Sequence, residues 1–349
     1  MSFPRKRESR FFLCAQLSSP PSFSYFILPT SYFPARAYWQ QHVSYDIHAT
    51  LIDSIHTLDG TISVVYTNNS PDTLREVFFH LYANAFQPGS MMDERALEIH
   101  TAPVFDRIHK LPESEWGKYW INSVQADNQS ATFEITGTIM RVALAKPLAP
   151  GASATIAFPF REQIPRQIRR SGWMSGEGVE YSMSQWYPKV CEYDFEGWHH
   201  QEYISREFYG VWGDFNVELT LPSRFTVGAS GECLNPTEVK HGYDQIASGV
   251  KEGLVEPDNA SGMTTWKFHA SPVHDFAWVA DDQYVHEWTT WQDTITVHAI
   301  YKQWAQRWWE KNALAYSIHA LSTYSELYGH YAYRNFFLHH GRRWWHGIS

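Results

Sequence analysis

The chain has 349 residues, enough for about two domains at roughly 150 residues each. Lys and Arg total 28 against 37 Asp and Glu, a net charge of −9, which argues against a nucleic-acid binder working through a basic face. Only three cysteines occur, none in a C-x-x-C pair, so neither a disulfide scaffold nor a thiolate zinc knuckle is expected, and no apolar run reaches the ~18 residues of a membrane-crossing helix.

Residues 1–37 differ from the rest. Arg5, Lys6, Arg7 and Arg10 precede an apolar stretch broken by Pro20, Pro21 and Pro29, and Ala35-Arg36-Ala37 has the small-x-small form of a cleavage site. Two readings stay open. One is an export signal, placing the full-length protein in the periplasm or outside the cell. The other is a misassigned start, leaving it cytoplasmic; Phe3 to Glu8 can be encoded by an inverted repeat of the kind found between genes.

From Tyr38 the pattern has period two. Val43, Tyr45, Ile47, Ala49 and Leu51 alternate with polar neighbours, as do Ile62, Val64 and Tyr66 before the turn Asn68-Asn69-Ser70-Pro71. The same alternation marks Ala154 to Phe160, Phe215 to Leu221, Trp266 to Ala270, Phe276 to Trp278, and Ile295 to Tyr301. Many strands separated by turn residues predict a mainly β protein, a β-sandwich or a large curved sheet. Residues 302–328 change to helical spacing, with Trp304, Trp308, Leu314, Ile318 and Leu321 predicted on one face.

Candidate chemistry is sparse despite 18 histidines. Zinc peptidases place two His around a Glu as H-E-x-x-H on a helix, and no such string occurs. His286-Glu287 begins one, but residue 290 is Thr, so a surface pair is expected. His199-His200 are adjacent in an aromatic loop and read as structural. His274-Asp275 reads as a buried hydrogen-bonded pair. No nucleophile elbow, P-loop or dinucleotide fingerprint is present. Arg161, Arg166, Arg169 and Arg170 read as a solvated rim. Glu192, Asp194 and Glu196 have the alternate spacing of an exposed edge rather than a catalytic carboxylate pair. The segment 181–215 mixes aromatics, Gly and polar groups, including Gln185, Lys189 and Asp194, as the rim of a binding cleft does.

Several of these stretches resemble bacterial zinc metallopeptidases of the aminopeptidase N and leukotriene-hydrolase type. They are Tyr38-Trp39-Gln40-Gln41, Tyr66 to Asp72, Phe79-His80-Leu81-Tyr82 with Asn84-Ala85-Phe86, Ser184-Gln185-Trp186-Tyr187-Pro188-Lys189, Phe208 to Phe215, and Tyr328-Gly329-His330-Tyr331-Ala332-Tyr333. The resemblance implies a saddle-like β-domain over 38–293. It also implies the first strand and helix of a thermolysin-like α/β catalytic domain over 294–334. The family activity is zinc-dependent release of N-terminal residues from a peptide substrate. Zinc belongs to the full-length family, whose ligands fall beyond this chain, so no zinc and no activity are expected of the chain alone. What carries over is a wall of the substrate cleft. Gln185 is the nearest match to a Gln that lines the first substrate pocket, and Tyr187 stands where relatives have Glu or Gln. The competing reading is a non-catalytic β-sandwich module that binds peptide or glycan through exposed Trp186, Tyr187 and Trp198.

Residues 335–349 are expected to be an out-of-frame tail. Shifting Arg343-Trp344-Trp345-His346 by one base forces Gly-Gly from the two TGG codons. The flanking codons then permit Gly-Gly-Asp-Gly-Gly-Met-Glu-Tyr-Pro, which resembles the family's amine-binding segment. The shift is placed near Arg334–Phe336.

Overall fold

A computed structural model describes residues 38–99, 104–205 and 209–340. The predicted start segment 1–37 and the tail residues 341–349 lie outside the described residues. The longer strands are β1 (His42–Ile52), β2 (Thr57–Thr67), β3 (Leu74–His80), β4 (Ile139–Leu148), β5 (Ser153–Gln163), β6 (Gly213–Pro222), β7 (Met263–Val273), β8 (Tyr284–Trp291), β9 (Ile295–Lys302) and β10 (Asn335–His339). The two longer helices are α1 (Met91–Glu98) and α2 (Asn312–Tyr328). No helix among the described residues is long and apolar enough to cross a membrane.

Five of the alternating strands predicted from sequence are the long members of one nine-stranded sheet, while the stretches at Trp278 and at Ile295 to Tyr301 belong to two other sheets. The long members of the nine-stranded sheet run in the order β7-β6-β1-β2-β5. Every apolar residue singled out in that alternation is buried, from Val43 to Leu51 on β1 through Trp266, Phe268 and Ala270 on β7. All neighbouring pairs of long strands in this sheet are antiparallel except β1 and β6, which run parallel with Val43 opposite Gly213. That close pairing explains the glycine, because a Cβ at residue 213 would sit 2.4 Å from the Val43 carbonyl oxygen. A four-stranded sheet holding β3 and β4 packs into the same core through Val77, Phe79, Met140 and Val142. Another joins Tyr181–Met183 to Trp278–Asp281 and Thr226–Ala229.

The last sheet has the order Glu252–Val255, β8, β9, β10, with β9 and β10 parallel. The boundary expected at 293/294 falls inside its β8–β9 hairpin, where Gln292 and Asp293 turn with φ of 53° and 58°. Both faces of β9 are covered, so it reads as a continuous buried run. Val297, Ala299 and Tyr301 face α2 with Leu314 and Leu321. The segment 335–349 divides: Asn335–His339 pairs with Thr296–Ile300, with Phe336 and Leu338 against the α2 cluster.

The predicted helix over 302–328 is interrupted. Residues Gln303–Trp309 form a short turn and helix, Lys311 takes φ 63°, and α2 begins afresh at Asn312. The buried Glu287 carboxylate causes the break, accepting from Lys311 N at 3.0 Å and from the Tyr301 hydroxyl at 3.1 Å. The predicted shared face is therefore lost. Leu314 and Leu321 are buried, whereas Trp304 and Trp308 are 52% and 53% exposed.

Candidate substrate-cleft wall

The segment after Met183 is tied into the core from several sides. Gln185 turns the chain with φ 60°. Trp186 is fully buried, and its indole N–H donates to the Phe276 carbonyl at 3.1 Å. The Tyr119 hydroxyl donates to the Trp186 carbonyl. Tyr187 is also 0% exposed, and its hydroxyl donates to Asp275 Oδ1 at 2.7 Å. Lys189 reaches the His274 carbonyl at 2.8 Å and lies 3.4 Å from Asp275 Oδ2. Burial and the Asp275 charge hold the Tyr187 hydroxyl well above the usual phenol range, so it stays a neutral donor.

These facts separate the two predicted site residues. Gln185 is 5% exposed and lines a small enclosed cavity with Tyr82, Glu162, Arg169, Arg170 and Tyr203. Its amide nitrogen has no hydrogen-bond acceptor among the described residues, and neither does Glu162 Oε2 have a donor. An orphaned buried amide is costly unless something fills its bond, so Gln185 keeps an unspent N–H toward that cavity. Burial pushes the Glu162 carboxyl well above its ordinary range, toward the neutral acid. Tyr187 is fully buried, with its hydroxyl proton committed to Asp275.

The three aromatics named for a binding module do not share a solvent-facing surface. Trp186 and Tyr187 are core, and half-buried Trp198 packs its ring against Tyr66, Phe78 and Tyr193. His286-Glu287, expected at the surface, is buried on β8, because β9, β10 and the 241–243 segment close over it. Asp194 receives the Tyr209 hydroxyl and the Glu196 amide, and lies 2.9 Å from His199 Nε2. Glu192 is buried rather than edge-exposed, and that burial, with Asp194 nearby, raises it to about 7. Arg161 pairs with Asp59, and Arg166 covers the Trp173 ring, which gives both a rim role. Residues Arg206–Phe208 of the cleft-rim segment lie outside the described residues.

Among the described residues no three His, Cys, Asp or Glu side chains converge. The closest His pair, His286 and His298, meets nitrogen to nitrogen at 2.9 Å. Sequence reasoning missed Asp275 and Glu162 as partners of the Gln185–Lys189 segment, because they sit tens of residues away with no local pattern.

No protein-family profile and no curated protein matches the sequence. Solved structures do. The M1 zinc metallopeptidase of Deinococcus radiodurans superposes with a TM-score of 0.51 at 14% identity, covering 88% of this chain and 57% of that one. A point variant of that enzyme bound to the substrate Tyr-Ser-Ala gives 0.51 at 15% identity, covering 86% and 56%. A two-domain M1 zinc metallopeptidase variant bound to L-tryptophan gives 0.51 at 15%, covering 88% and 58%. The chain thus spans little more than half the length of the structures it matches, and over that span it has the fold of the M1 zinc metallopeptidases.

Proposed function

We propose that the chain is the N-terminal part of a zinc metallo-aminopeptidase, whose full-length reaction is hydrolytic release of N-terminal residues from peptides. Its contribution is a β-domain that forms one wall of the substrate cleft, with Gln185 offering an amide at the end of a pocket. The observation that carries this reading is the one-sided match: nearly all of this chain superposes on little more than half of each neighbour. The absence of H-E-x-x-H from the sequence agrees with it. Alone, the chain is expected to bind no stoichiometric zinc. Metal analysis of the pure protein, with a nitroanilide assay, tests this; robust turnover with bound zinc overturns it.

The change of reading frame, expected near Arg334–Phe336, is proposed to lie further on, after His340, and the pairing of β10 supports that position. Asn335–His339 enters the sheet in register with β9, and the Tyr284 hydroxyl donates to the His340 carbonyl at 2.8 Å. Out-of-frame residues have no reason to place apolar side chains toward α2 in this way. Resequencing the locus tests the proposal; a downstream sequence with no H-E-x-x-H in any frame refutes it. In the restored full-length enzyme, Gln185→Ala is expected to raise KM at least as much as it lowers kcat.

A further inference from the structure

Two buried histidines on adjacent strands form a chain of contacts that cannot be completed with neutral rings. His286 Nδ1 lies 2.8 Å from the His241 carbonyl oxygen, which only accepts, so that nitrogen carries a proton. At the other end His298 Nε2 lies 3.2 Å from Asn335 Oδ1. The Asn335 amide is oriented by its own donation to the Gly231 carbonyl at 3.0 Å, so Oδ1 faces the ring and that nitrogen too must donate. Between them His286 Nε2 and His298 Nδ1 are 2.9 Å apart. Two neutral imidazoles supply two N–H groups for three contacts. With both spent on the outer ends, the central contact sets two lone pairs against each other.

We infer that His286 and His298 hold one extra proton between them as an imidazole–imidazolium pair, and that this proton clasps β10 to the β8–β9 hairpin. The third N–H then completes the central bond. The surroundings suit a cation that has no carboxylate. Phe337 of β10 stacks on His298 at 4.1 Å between ring centres, Trp288 packs against His286 at 5.2 Å, and Tyr243 meets both rings. The titratable groups facing the pair are His241 and Tyr243. His241 spends its ring on Thr226 Oγ1 and the Ser223 carbonyl, and Tyr243 donates to the Val227 carbonyl. Asn335 and Phe337 from β10, and Trp288 from β8, carry no charge. Burial acts against the extra proton: it pushes His286 down to about 4 even with the His241 carbonyl bond in place, and it pushes His298 in the same direction. The chain of three bonds is what opposes that push. Loss of the proton removes the central bond and so the side-chain link from the β8–β9 hairpin to Asn335 Oδ1, while the Asn335 bond to Gly231 and the β9–β10 ladder remain.

Nitrogen NMR on the full chain labelled at histidine reads the proton count directly. Three ring N–H signals from this pair at neutral pH, one of them coupled to both central nitrogens, are expected; two signals with a bare central nitrogen overturn the inference. A second readout uses His298→Gln, whose amide has two N–H groups and can satisfy His286 and Asn335 without an added proton. A proton bound only in the folded state raises the unfolding constant tenfold per pH unit above the unfolded histidine value of about 6.5. That slope, up to the pH at which the folded pair itself loses the proton, is expected in the wild type over and above whatever slope His298→Gln shows. Equal slopes in both proteins, or a variant whose stability is shifted alike at every pH, reduce the pair to packing and refute the clasp.

Discussion

At the residue scale, the most exacting arrangement is the ion pair of Lys302 and Asp281. Asp281 is completely buried and accepts from Lys302 Nζ at 2.8 and 2.9 Å, and also from the amides of Glu180 and Gln283. Removing one partner strands a buried charge, so Lys302→Met is expected to cost about 3–5 kcal/mol in urea unfolding. Replacing both residues by apolar ones of similar volume is expected to cost far less. Glu192 gives a pH signature. Its carboxyl is raised to about 7 from an ordinary value of 4.5, so its contribution is full below pH 4.5 and is lost as pH rises through 7. Glu192→Gln is expected to remove that loss, by about 1–2 kcal/mol at pH 8 after allowance for partial solvent access, as followed by unfolding at several pH values. None of these partners could be read from the sequence. Residue type tells that Lys302 or Glu192 is ionisable, but the cost or gain depends on burial made by strands far away in the chain.

The elements were far more legible. Alternation placed the inward face of every long strand of the main sheet correctly, because one covered face is all that period two requires. The helix after β9 was half legible. Leu314 and Leu321 do face the sheet, but a capping carboxylate from β8 ends the first turn and rotates the two tryptophans outward. Their exposure makes Trp304→Ser with Trp308→Ser a solubility test. The double variant is expected to stay within about 0.5 kcal/mol of wild-type stability and to scatter less light on concentration. Deleting residues 302–349 is a worse test, since it removes Lys302 from Asp281 and α2 from β9. Gly213→Ala is expected to cost about 1–3 kcal/mol by forcing β1 and β6 apart, measured by thermal unfolding.

For the whole molecule, the resemblance carried by short aromatic motifs and the superposition agree on one architecture. The candidate site was legible only as a segment. The sequence marked 181–215 as unusual, but which of its side chains keeps a free group depended on the tertiary partners of each. Gln185 keeps its amide available, and Tyr187 gives its hydroxyl to Asp275. Purified chain is expected to release no nitroaniline from aminoacyl substrates. If the proposed frame change is confirmed at the locus, the same assay on the product of the corrected frame is expected to show turnover that chelation removes.

The parallel pairing of β1 with β6 also sets a timetable for synthesis. Val43 meets Gly213, so the central pair of the main sheet joins positions about 170 residues apart. At roughly 5–20 residues per second, the ribosome needs about 10–30 s to deliver the second partner after the first. Throughout that interval the β1–β2 hairpin presents Tyr45, Ile47, Val64 and Tyr66 without the strand that covers one of its edges. The nascent chain therefore carries an unpaired sheet edge over a long stretch of its own translation, and slowing elongation before residue 213 lengthens that exposure.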